Sequence, residues 1–563
     1  MTFERPWHQH YAPGVPAEAT IPDGSVVDLL TRAVAAEPQR IALDFLGAAT
    51  TYAELWAGVL QAAEALRRLG IGAGDRVAIA LPNCPQHVVA FYAALRLGAV
   101  VVEHNPLYTQ AELEVQLRDH SPALIIAWDV VAPAAAAASP GTPVIAVDMT
   151  TALPAAKRLL LHLPIAKARE TRSAMTRPAA GLRTWAALVA GVPALAADVA
   201  GPDANDIALL QYTGGTTGIP KGAMLTHRNL VANAAQSAAW VPQLVPGKET
   251  FYGALPMFHA YGLTLCLTTA VHLRATVVLF PKFDPDMVLD AMKRRPATFL
   301  PGVPPMYPRL VERARERQVD LHSIRIALAG AMALPPEVVD LWEGVTGGLL
   351  VEGYGMTESS PISVGNPVSA QRRPGAIGIP FPSTDMRVVN PENPYEQVAP
   401  GERGELLIHG PQVFAGYWNR GEETAATLLP EGWLRTGDIV EQDPDGFVRI
   451  VDRIKELILV GGFNVYPSEV EAQLQQLPGV AQVAVTAVPR GGVDVVAAAV
   501  VPQPGVTLDP AAVRAAARER LTPYKVPKIV VIVEELPRSV VGKVLRKQVR
   551  EQLLAPTAEG PTA

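Results

Sequence analysis

Short β-branched runs alternate with helix-like segments through the first half of this 563-residue chain. Arg76–Leu81, Val100–Glu103 and Ala123–Trp128 have the composition of buried strands, while Gln86–Leu97 and Gln110–His120 have helical apolar spacing. Strand–helix–strand order with short connections predicts parallel βαβ units whose helices cover both faces of the sheet. The predicted fold class is therefore α/β, with a large N-terminal domain of parallel sheets covered by helices.

In the second half of the sequence the predicted secondary structure changes twice. Val388–Ile450 has Gly/Pro punctuation and short strands such as Gly404–His409, which predicts a β-rich subdomain. Beyond Asp452 the pattern runs strand, helix, two strands, helix, strand, which fits a small α+β domain. The predicted domains are thus 1–452 and 453–563, with the boundary at Asp452–Lys455.

Composition excludes several classes of protein. The two cysteines, Cys84 and Cys266, lie far apart, so a disulfide framework, a zinc module and an iron–sulfur site are excluded. A net charge of −6 argues against nucleic-acid binding by the whole chain. The N-terminal residues have no apolar h-region, and no uncharged run reads as a membrane span. We expect a soluble, cytoplasmic protein.

Tyr212–Gly222 reads YTGGTTGIPKG and follows an apolar strand. Glycines let backbone N–H groups approach an anion, threonine hydroxyls add donors, and Lys221 supplies a compact positive charge for phosphate. The segment is not a Walker A loop, because Lys221 is followed by a glycine and not preceded by one. By composition alone, a phosphate loop and a generic Gly/Thr turn fit equally well.

This segment resembles the phosphate loop of the acyl-adenylate-forming enzymes, which include acyl-CoA synthetases, nonribosomal-peptide adenylation domains and beetle luciferases. The resemblance runs from about Thr51 to Arg550. Further motifs of that family follow in order, and these are Tyr354–Glu358, Tyr417-Trp418, Thr436–Asp438, Asp452–Glu456, Gly461–Phe463 and Pro537–Lys543. A single motif of this kind is weak, but six in order are specific.

The resemblance implies an ATP site with Mg²⁺ as the accompanying ion. A hydroxyl and a carboxylate, those of Thr213 and Glu358, would hold the metal, as suits a hard cation. Tyr354 would stack on adenine, and Asp438 and Arg453 would contact the ribose. The implied ATP- and AMP-binding residues are Thr213, Gly214, Gly215, Thr216, Thr217, Gly218, Lys221, Gly330, Ala331, Glu352, Gly353, Tyr354, Gly355, Met356, Thr357, Asp438, Ile450, Arg453 and Lys543.

The residue types alone leave other interpretations open. Tyr354 by itself reads as a core tyrosine, and Thr213 with Glu358 as a buried pair at strand ends. Arg453 could form a surface ion pair with Asp452 or Glu456. Likewise, a lysine in a basic tail such as Lys543 is commonly solvated.

The implied chemistry needs no protein nucleophile, because the substrate carboxylate attacks ATP itself. Lys543 would hold the carboxylate and the α-phosphate together, so catalysis is positioning and charge stabilisation. Thr213, Glu358 and a hinge residue, Lys455, complete the implied catalytic set. The hinge would let a mobile C-terminal domain serve two half-reactions in turn.

Two further sites follow from the resemblance. His259, Tyr261 and Gly262 would line the acyl pocket, although a core histidine is nearly as good an interpretation of His259. The implied coenzyme A site comprises Gly461, Gly462, Phe463 and Asn464. A net positive charge in the C-terminal region suits the phosphates of coenzyme A.

Val460–Glu469, Tyr524–Lys528 and the insert Lys157–Arg183 resemble bacterial medium- and long-chain fatty acyl-CoA synthetases. The implied reaction activates a fatty acid as acyl-AMP and transfers it to coenzyme A. Alternatives are an acyl-AMP ligase that loads a carrier protein and a catalytically silent acyl-CoA- or nucleotide-binding regulator. The acyl chain length stays open.

The insert Lys157–Arg183 combines basic and apolar residues, which predicts peripheral contact with the inner face of an anionic membrane. A solvated helix fits the same composition. The expected partners are ATP, a fatty acid and coenzyme A, without nucleic acid. The sequence leaves the oligomeric state open and is compatible with a homodimer.

Overall fold

The computed structural model of the protein describes residues 5–213, 220–460, 463–490, 493–539 and 542–554. Two compact units are present. The first comprises Met1–Asp385 and Ile408–Leu434, and the second Met386–Leu407 and Arg435–Ala563.

The first unit is built on a seven-stranded and a nine-stranded sheet. The orders are β7-β6-β5-β3-β4-β8-β9 and β16-β15-β14-β13-β12-β10-β11-β1-β2. Its strands are β1 (Ile41–Phe45), β2 (Ala48–Thr51), β3 (Arg76–Ala80), β4 (Val100–Glu103), β5 (Leu124–Trp128), β6 (Val144–Val147), β7 (Arg183–Thr184), β8 (Ile207–Thr213), β9 (Lys221–Thr226), β10 (Thr250–Gly253), β11 (Thr276–Leu279), β12 (Phe299–Gly302), β13 (Ile326–Ala329), β14 (Leu349–Gly355), β15 (Ile362–Gly365) and β16 (Ile379–Pro380).

Helices connect these strands. They are α1 (Val26–Ala36), α2 (Tyr52–Arg68), α3 (Pro85–Arg96), α4 (Gln110–His120), α5 (Ala132–Ala138), α6 (Ala155–Leu160), α7 (Ala166–Met175), α8 (Trp185–Val189), α9 (His227–Trp240), α10 (Ala260–Leu263), α11 (Thr269–His272), α12 (Pro285–Arg294), α13 (Met306–Arg317), α14 (Pro336–Thr346) and α15 (Gly421–Thr427). Side-chain caps fix several helix starts: Thr51, Thr109 and Thr226 each form a capping box with the residue three positions on.

The predicted α/β class is confirmed by the pairing of the strands. In the seven-stranded sheet every pair is parallel except β8 with β9. The nine-stranded sheet is parallel from β1 through β11, β10, β12 and β13 to β14, with antiparallel strands at both edges. Strands β3, β4 and β5 and helices α3 and α4 lie within a residue or so of their predicted positions. Fully buried strands such as β4 explain the runs of Val.

The second unit contains a five-stranded sheet, a two-stranded ribbon and a three-stranded sheet. Its hydrophobic core includes Val470, Leu474, Val485 and Val500, which pack helix and sheet together. Its elements are β17 (Asp385–Asn390), β18 (Asn393–Gln397), β19 (Arg403–His409), β20 (Leu434–Gln442), β21 (Val448–Arg453), β22 (Ile458–Val460), β23 (Phe463–Val465), α16 (Pro467–Gln475), β24 (Val480–Arg490), β25 (Val493–Pro502), α17 (Pro510–Arg520), β26 (Ile529–Ile532) and α18 (Arg546–Leu554).

Two parts of the predicted β-rich segment, 388–407 and 435–450, therefore group with the C-terminal residues in one compact unit, while Ile408–Leu434 belongs to the first unit. Compactness and independent movement are different properties, so the domain boundary at 452 stays a prediction about which residues move together. Within the described part of the chain, no helix has the length and apolar character needed to cross a bilayer.

Candidate functional site

Strands β8 and β9 bring the two ends of the predicted phosphate loop side by side. Thr213 is the last residue of β8 and pairs with Lys221, the first residue of β9, while Tyr212 pairs with Gly222. The predicted phosphate-binding residues between them, Gly214, Gly215, Thr216, Thr217 and Gly218, lie outside the described residues. A hydroxyl and an ammonium group thus flank the segment that the sequence assigns to phosphate.

Tyr417 joins Lys221 to Glu358. The ammonium of Lys221 lies 5.3 Å from the centre of the Tyr417 ring, a cation–π geometry, and 3.8 Å from the carboxylate of Glu423. The Tyr417 hydroxyl donates a hydrogen bond of 2.6 Å to Oε1 of Glu358. Burial, and then the charge of Glu358, raise the pKa of Tyr417, so its hydroxyl stays protonated as a donor.

The backbone fixes this arrangement. Tyr417 bridges Ala223 of β9, and the N–H of Trp418 donates to the carbonyl of Gly222 at 2.8 Å. The N–H of Phe414 donates to the carbonyl of Glu358 at 2.9 Å. The segment around Tyr417 therefore ties β9 to the turn that carries Glu358. Tyr417-Trp418 is a motif in the sequence, but the sequence alone indicates no role for Tyr417.

Glu358 and Thr213 suit a magnesium ion that arrives with ATP. Both supply oxygen donors, and Mg²⁺ at nucleotide sites takes one or two protein oxygens beside phosphate and water. Glu358 is buried, so a counter-charge would be strongly felt there. Over the described ranges, no three His, Cys, Asp or Glu side chains gather so as to hold a metal ion.

The predicted adenine-binding strand, β14, runs antiparallel to β15, and Tyr354 is buried opposite Val364. A Cβ on Gly355 would lie 2.0 Å from the carbonyl oxygen of Pro361, so this position requires glycine. Glu352 is also buried, and desolvation raises its pKa to about 7. Of the other predicted residues here, Gly353 lies on β14, Met356 follows the strand, and Thr357 begins the 3-10 turn after it.

Tyr261 connects the predicted acyl pocket to the predicted nucleotide site. Its hydroxyl donates to the carbonyl of Leu328 at 2.7 Å, and a Cβ on Gly330 would lie 3.0 Å from its ring. The next residue, Ala331, has a left-handed φ of +67°. Tyr261 thus packs beneath the Gly330-Ala331 stretch, a contact that the sequence did not predict.

His259 caps α10, where its Nδ1 accepts the N–H of Tyr261 at 3.2 Å. Desolvation lowers the pKa of His259 to about 4, so the ring is neutral near pH 7. A Cβ on Gly262 would lie 2.1 Å from the carbonyl oxygen of Pro256, so a larger residue does not fit. The helix continues through a π-helical turn at Thr264–Thr268. A neutral imidazole and a tight glycine suit the wall of an apolar pocket.

In the second unit, Asp438 of β20 pairs with Arg453 of β21, and Nε of Arg453 lies 2.9 Å from the Asp438 carboxylate. Arg453 therefore forms an ion pair with Asp438, a partner that the residue types alone did not indicate. Asp452 instead accepts the N–H of Ser468 at 2.9 Å, and Glu456 pairs with Arg546 at 2.8 Å.

Lys543 belongs to the same group of charges. Partial desolvation by surrounding protein, and next the positive charge of Arg453, lower its pKa to about 8, although Glu456 and Asp438 act in the opposite sense. The side chain keeps contact with solvent. It is therefore a cation that protein charges surround and that a ligand can still reach.

Other predicted residues of this unit lie close in sequence to that group. Ile450 is partly exposed on β21, and Lys455 is exposed in the 3-10 turn Ile454–Glu456. Asn464 is exposed on β23, where Phe463 pairs with Val460. The predicted coenzyme A residues Gly461 and Gly462 lie outside the described residues.

A partly buried polar network lies behind Tyr212, and no sequence motif indicates it. The hydroxyl of Tyr212 donates to Asp119 at 2.7 Å, and Arg420 donates to the other Asp119 oxygen at 2.8 Å. His104 and His120 pack against the Tyr212 ring. Arg420 follows Tyr417-Trp418 closely in the sequence. Asp119 therefore connects Tyr212, at the β8 end of the predicted loop, to the segment that carries Tyr417.

The family model described as AMP-binding enzyme matches residues 30–418, and the model described as AMP-binding enzyme C-terminal domain matches residues 469–543. The chain belongs to the AMP-binding enzyme family. The first match alone covers well over half of the chain, and the two together span both compact units.

Relatives within this family match over nearly their whole length. The long-chain-fatty-acid–CoA ligase of Bacillus subtilis (strain 168) is 40% identical over 98% of this chain and 99% of its own. The protein of the same name from Escherichia coli O157:H7 is 37% identical, with 98% of each chain covered. The structure of ATP-bound MatB from Rhodopseudomonas palustris superimposes with a TM-score of 0.79 at 31% identity, covering 93% of this chain and 98% of that one.

The Asp119 network yields a prediction. Asp119→Asn keeps the size of the side chain but removes the charge that Arg420 and Tyr212 share. We expect the KM for ATP to rise about fivefold to tenfold, as suits the loss of one charge-assisted hydrogen bond, while the fold persists. The measurement is initial rate against ATP concentration.

Glu114→Gln is the matched control, because it removes an exposed ion pair with Arg118 on the same helix, α4. That variant should leave the KM for ATP unchanged. Equal KM values in the two variants would show that Asp119 does not position the ATP site.

Proposed function

We propose that the chain is an AMP-forming acid–thiol ligase, a fatty acyl-CoA synthetase that works on medium- or long-chain acids. The arrangement in which Tyr417 joins Lys221 to Glu358, at the ends of the Thr213–Lys221 pairing, carries the proposed nucleotide chemistry. The choice of acid is supported by full-length relatives named long-chain-fatty-acid–CoA ligase. A carrier-protein acceptor is not favoured, since those relatives are named for coenzyme A.

The first half-reaction forms a mixed anhydride. A carboxylate oxygen of the fatty acid attacks the α-phosphorus of ATP, the bond to the β-phosphate oxygen breaks, and pyrophosphate leaves. Lys221 would neutralise charge on the phosphates, and Lys543 would offset the charge that gathers at the α-phosphate. Mg²⁺ held by Glu358 and Thr213 would supply charge screening on the polyphosphate when bound.

The second half-reaction transfers the acyl group. The thiol of coenzyme A loses its proton to solvent and its sulfur attacks the acyl carbon, the bond from that carbon to the phosphate oxygen breaks, and AMP leaves. Asp438, whose carboxylate is held by Arg453, would accept hydrogen bonds from the ribose hydroxyls in both steps. The adenosine part thus stays anchored while the group on the α-phosphate changes.

Release of pyrophosphate with a panel of acids, each tested with and without coenzyme A, tests this function. We expect turnover with medium- or long-chain fatty acids and thioester only when coenzyme A is present. Turnover confined to short or aromatic acids would reject the substrate class. The absence of turnover with every acid would favour the silent acyl-CoA- or nucleotide-binding regulator.

Peripheral membrane contact through 157–183 belongs to the same proposal.

We also propose that the C-terminal residues rotate about Lys455 between the two half-reactions. Lys543 and Gly462 serve different half-reactions in this scheme. Lys543→Ala should therefore lose adenylate formation but still convert synthetic acyl adenylate and coenzyme A into thioester.

Gly462→Leu should still form the acyl adenylate but lose thioester formation, because the new side chain would block the path of the pantetheine arm. Lys455→Pro should favour one half-reaction, since proline fixes φ. The two steps are measured separately, as pyrophosphate release and as thioester formation from synthetic adenylate. If Lys543→Ala and Gly462→Leu slow both steps equally, the alternation scheme is wrong.

The lowered pKa of Lys543 predicts a pH dependence. Its ammonium is charged below about pH 8 and loses its proton above, so adenylate formation should fall as pH rises through about 8. Removing the positive neighbour with Arg453→Gln should move this limb to higher pH. Removing the negative neighbour with Glu456→Gln should move it to lower pH.

The profile is measured on adenylate formation without coenzyme A, at saturating ATP, because a thiol with a pKa of about 8.5 titrates in the same range. The midpoint is the readout, since both variants also change the rate. Midpoints that stay together in all three proteins would show that Lys543 is not the group that titrates.

A further inference from the structure

The turn that carries Glu358 needs support from other parts of the chain. The 3-10 turn Thr357–Ser359 is followed by Ser360, whose φ of +69° lies in the left-handed region that residues with a Cβ rarely adopt. Such a residue keeps this conformation only where its surroundings hold it. The Ser360 hydroxyl donates to the carbonyl of Gln412 at 2.8 Å, and the Ser360 carbonyl accepts from the hydroxyl of Thr264 at 2.7 Å. Segments distant in sequence therefore hold this turn.

Helix α9 supplies two buried carboxamides to the same region. Asn229 and Asn233 are four positions apart and so lie on one face of the helix. The amide nitrogen of Asn233 donates to the carbonyl of Ile362 at 2.6 Å, and the amide oxygen accepts the N–H of Ile362 at 3.1 Å. Asn229 donates to the carbonyls of Pro411 and Val413 at 2.9 and 2.8 Å. Two side chains on one helix face thus hold two separate backbone segments.

These two segments meet at Glu358. Ile362 begins β15, four residues beyond Glu358. Phe414 directly follows Val413, and its N–H donates to the carbonyl of Glu358 at 2.9 Å. Helix α9 itself begins at the end of β9, the strand that starts with Lys221. One face of α9 therefore fixes the backbone at Glu358, and just after it, relative to the strand of Lys221.

Buried carboxamides are a costly way to pack a helix. An apolar side chain fills the same space without losing hydrogen bonds to water, so amides at such positions indicate that particular backbone groups must be held. Two purposes fit these bonds, the stability of the fold and the placement of the Glu358 carboxylate. The left-handed Ser360 beside Glu358 favours placement, because strained backbone is concentrated where a functional side chain must be aimed.

We propose that Asn229 and Asn233 are positioning residues that aim the Glu358 carboxylate at the metal-bound polyphosphate of ATP. The inference rests on the proposed function, in which Glu358 holds Mg²⁺ on that polyphosphate. AMP and an acyl adenylate have no polyphosphate. Loss of either amide should therefore weaken the binding of Mg·ATP and slow adenylate formation, while AMP binding and acyl transfer to coenzyme A persist.

Two variants test this role. Asn229→Asp keeps the side-chain oxygen that accepts the N–H of Thr226 in the capping box, but it replaces the amide donor with an oxygen that faces two carbonyls. Asn233→Leu has a similar volume and removes both hydrogen bonds to Ile362. We expect the Kd for Mg·ATP, measured by calorimetry without fatty acid, to rise about tenfold in each variant. The Kd for AMP should stay within about twofold of the wild-type value.

The same variants are then assayed in the two half-reactions separately. Adenylate formation, measured as pyrophosphate release without coenzyme A, should fall by about tenfold or more. Thioester formation from synthetic acyl adenylate and coenzyme A should stay within about twofold of the wild-type rate. A purely structural role would lower both rates together, because it would reduce the amount of folded enzyme.

Tyr252→Phe is the matched control. Tyr252 is buried, and its hydroxyl donates to the backbone carbonyl of Arg295 at 2.8 Å, in a part of the first unit that the proposed mechanism does not use. This variant also loses a hydrogen bond to a backbone carbonyl, so its Tm should fall. Both Kd values and both half-reactions should nevertheless match those of the wild type.

Parallel losses would overturn the inference. These are equal weakening of Mg·ATP and AMP binding, equal slowing of both half-reactions, or failure of both variants to fold, and each would assign the two amides to stability alone. Unchanged Kd values and rates would overturn it as well. A wild-type protein that binds Mg·ATP but forms no adenylate with any acid would instead reject the proposed function, and the two Kd values would still test the two asparagines.

Discussion

The antiparallel pairing of Thr213 with Lys221 is the constraint on which the site depends. Strand β8 is parallel to β4 within the sheet, so its carboxyl end reaches the edge where such sheets bind ligands. Strand β9 returns beside it and sets a lysine directly opposite a threonine. The segment at Tyr417 then adds to β9, and the Tyr417 hydroxyl reaches Glu358. The register sets Thr213 opposite Lys221, and Tyr417 links Lys221 to the carboxylate of Glu358.

The two lysines to which the proposed mechanism assigns contacts with phosphate differ in character. In the first compact unit, Lys221 is mostly buried, with the Tyr417 ring and the Glu423 carboxylate around it, which keeps a positive charge in place before ATP arrives. In the second compact unit, Lys543 has a lowered pKa and keeps contact with solvent. A fixed cation suits the polyphosphate, which is bound throughout adenylate formation. A cation near its titration point suits a step at which charge is rearranged.

Much of the fold could be predicted from the sequence, because the residue patterns that specify its strands and helices are local. The β-branched runs and helical spacing located β3, β4, β5, α3 and α4 within a residue or so. The ends of the phosphate loop were also readable, since glycine, threonine and lysine within eleven residues carry their chemistry in their spacing. The proposed identity of the site residues came from resemblance and not from pattern.

Long-range contacts could not be predicted. Asp119 and Arg420 meet across 301 positions of the chain, and neither belongs to a motif that the sequence analysis quoted. The choice of Asp438 as the partner of Arg453 depends on the register of β20 and β21, because the two nearer acids, Asp452 and Glu456, find other partners. Tyr261 likewise packs against Gly330 because helix α10 lies beside the end of β13. Such contacts depend on tertiary packing, which the spacing of residues along the chain does not indicate.

In the proposed mechanism the substrate carboxylate itself attacks the α-phosphorus, and protein charges hold the two together. The most direct measurement uses a fatty acid labelled with ¹⁸O in both carboxylate oxygens, followed by mass spectrometry of the products after turnover with ATP and coenzyme A. One labelled oxygen should then appear in AMP, and the other should stay in the acyl-CoA. Label in pyrophosphate or phosphate, with AMP unlabelled, would contradict it.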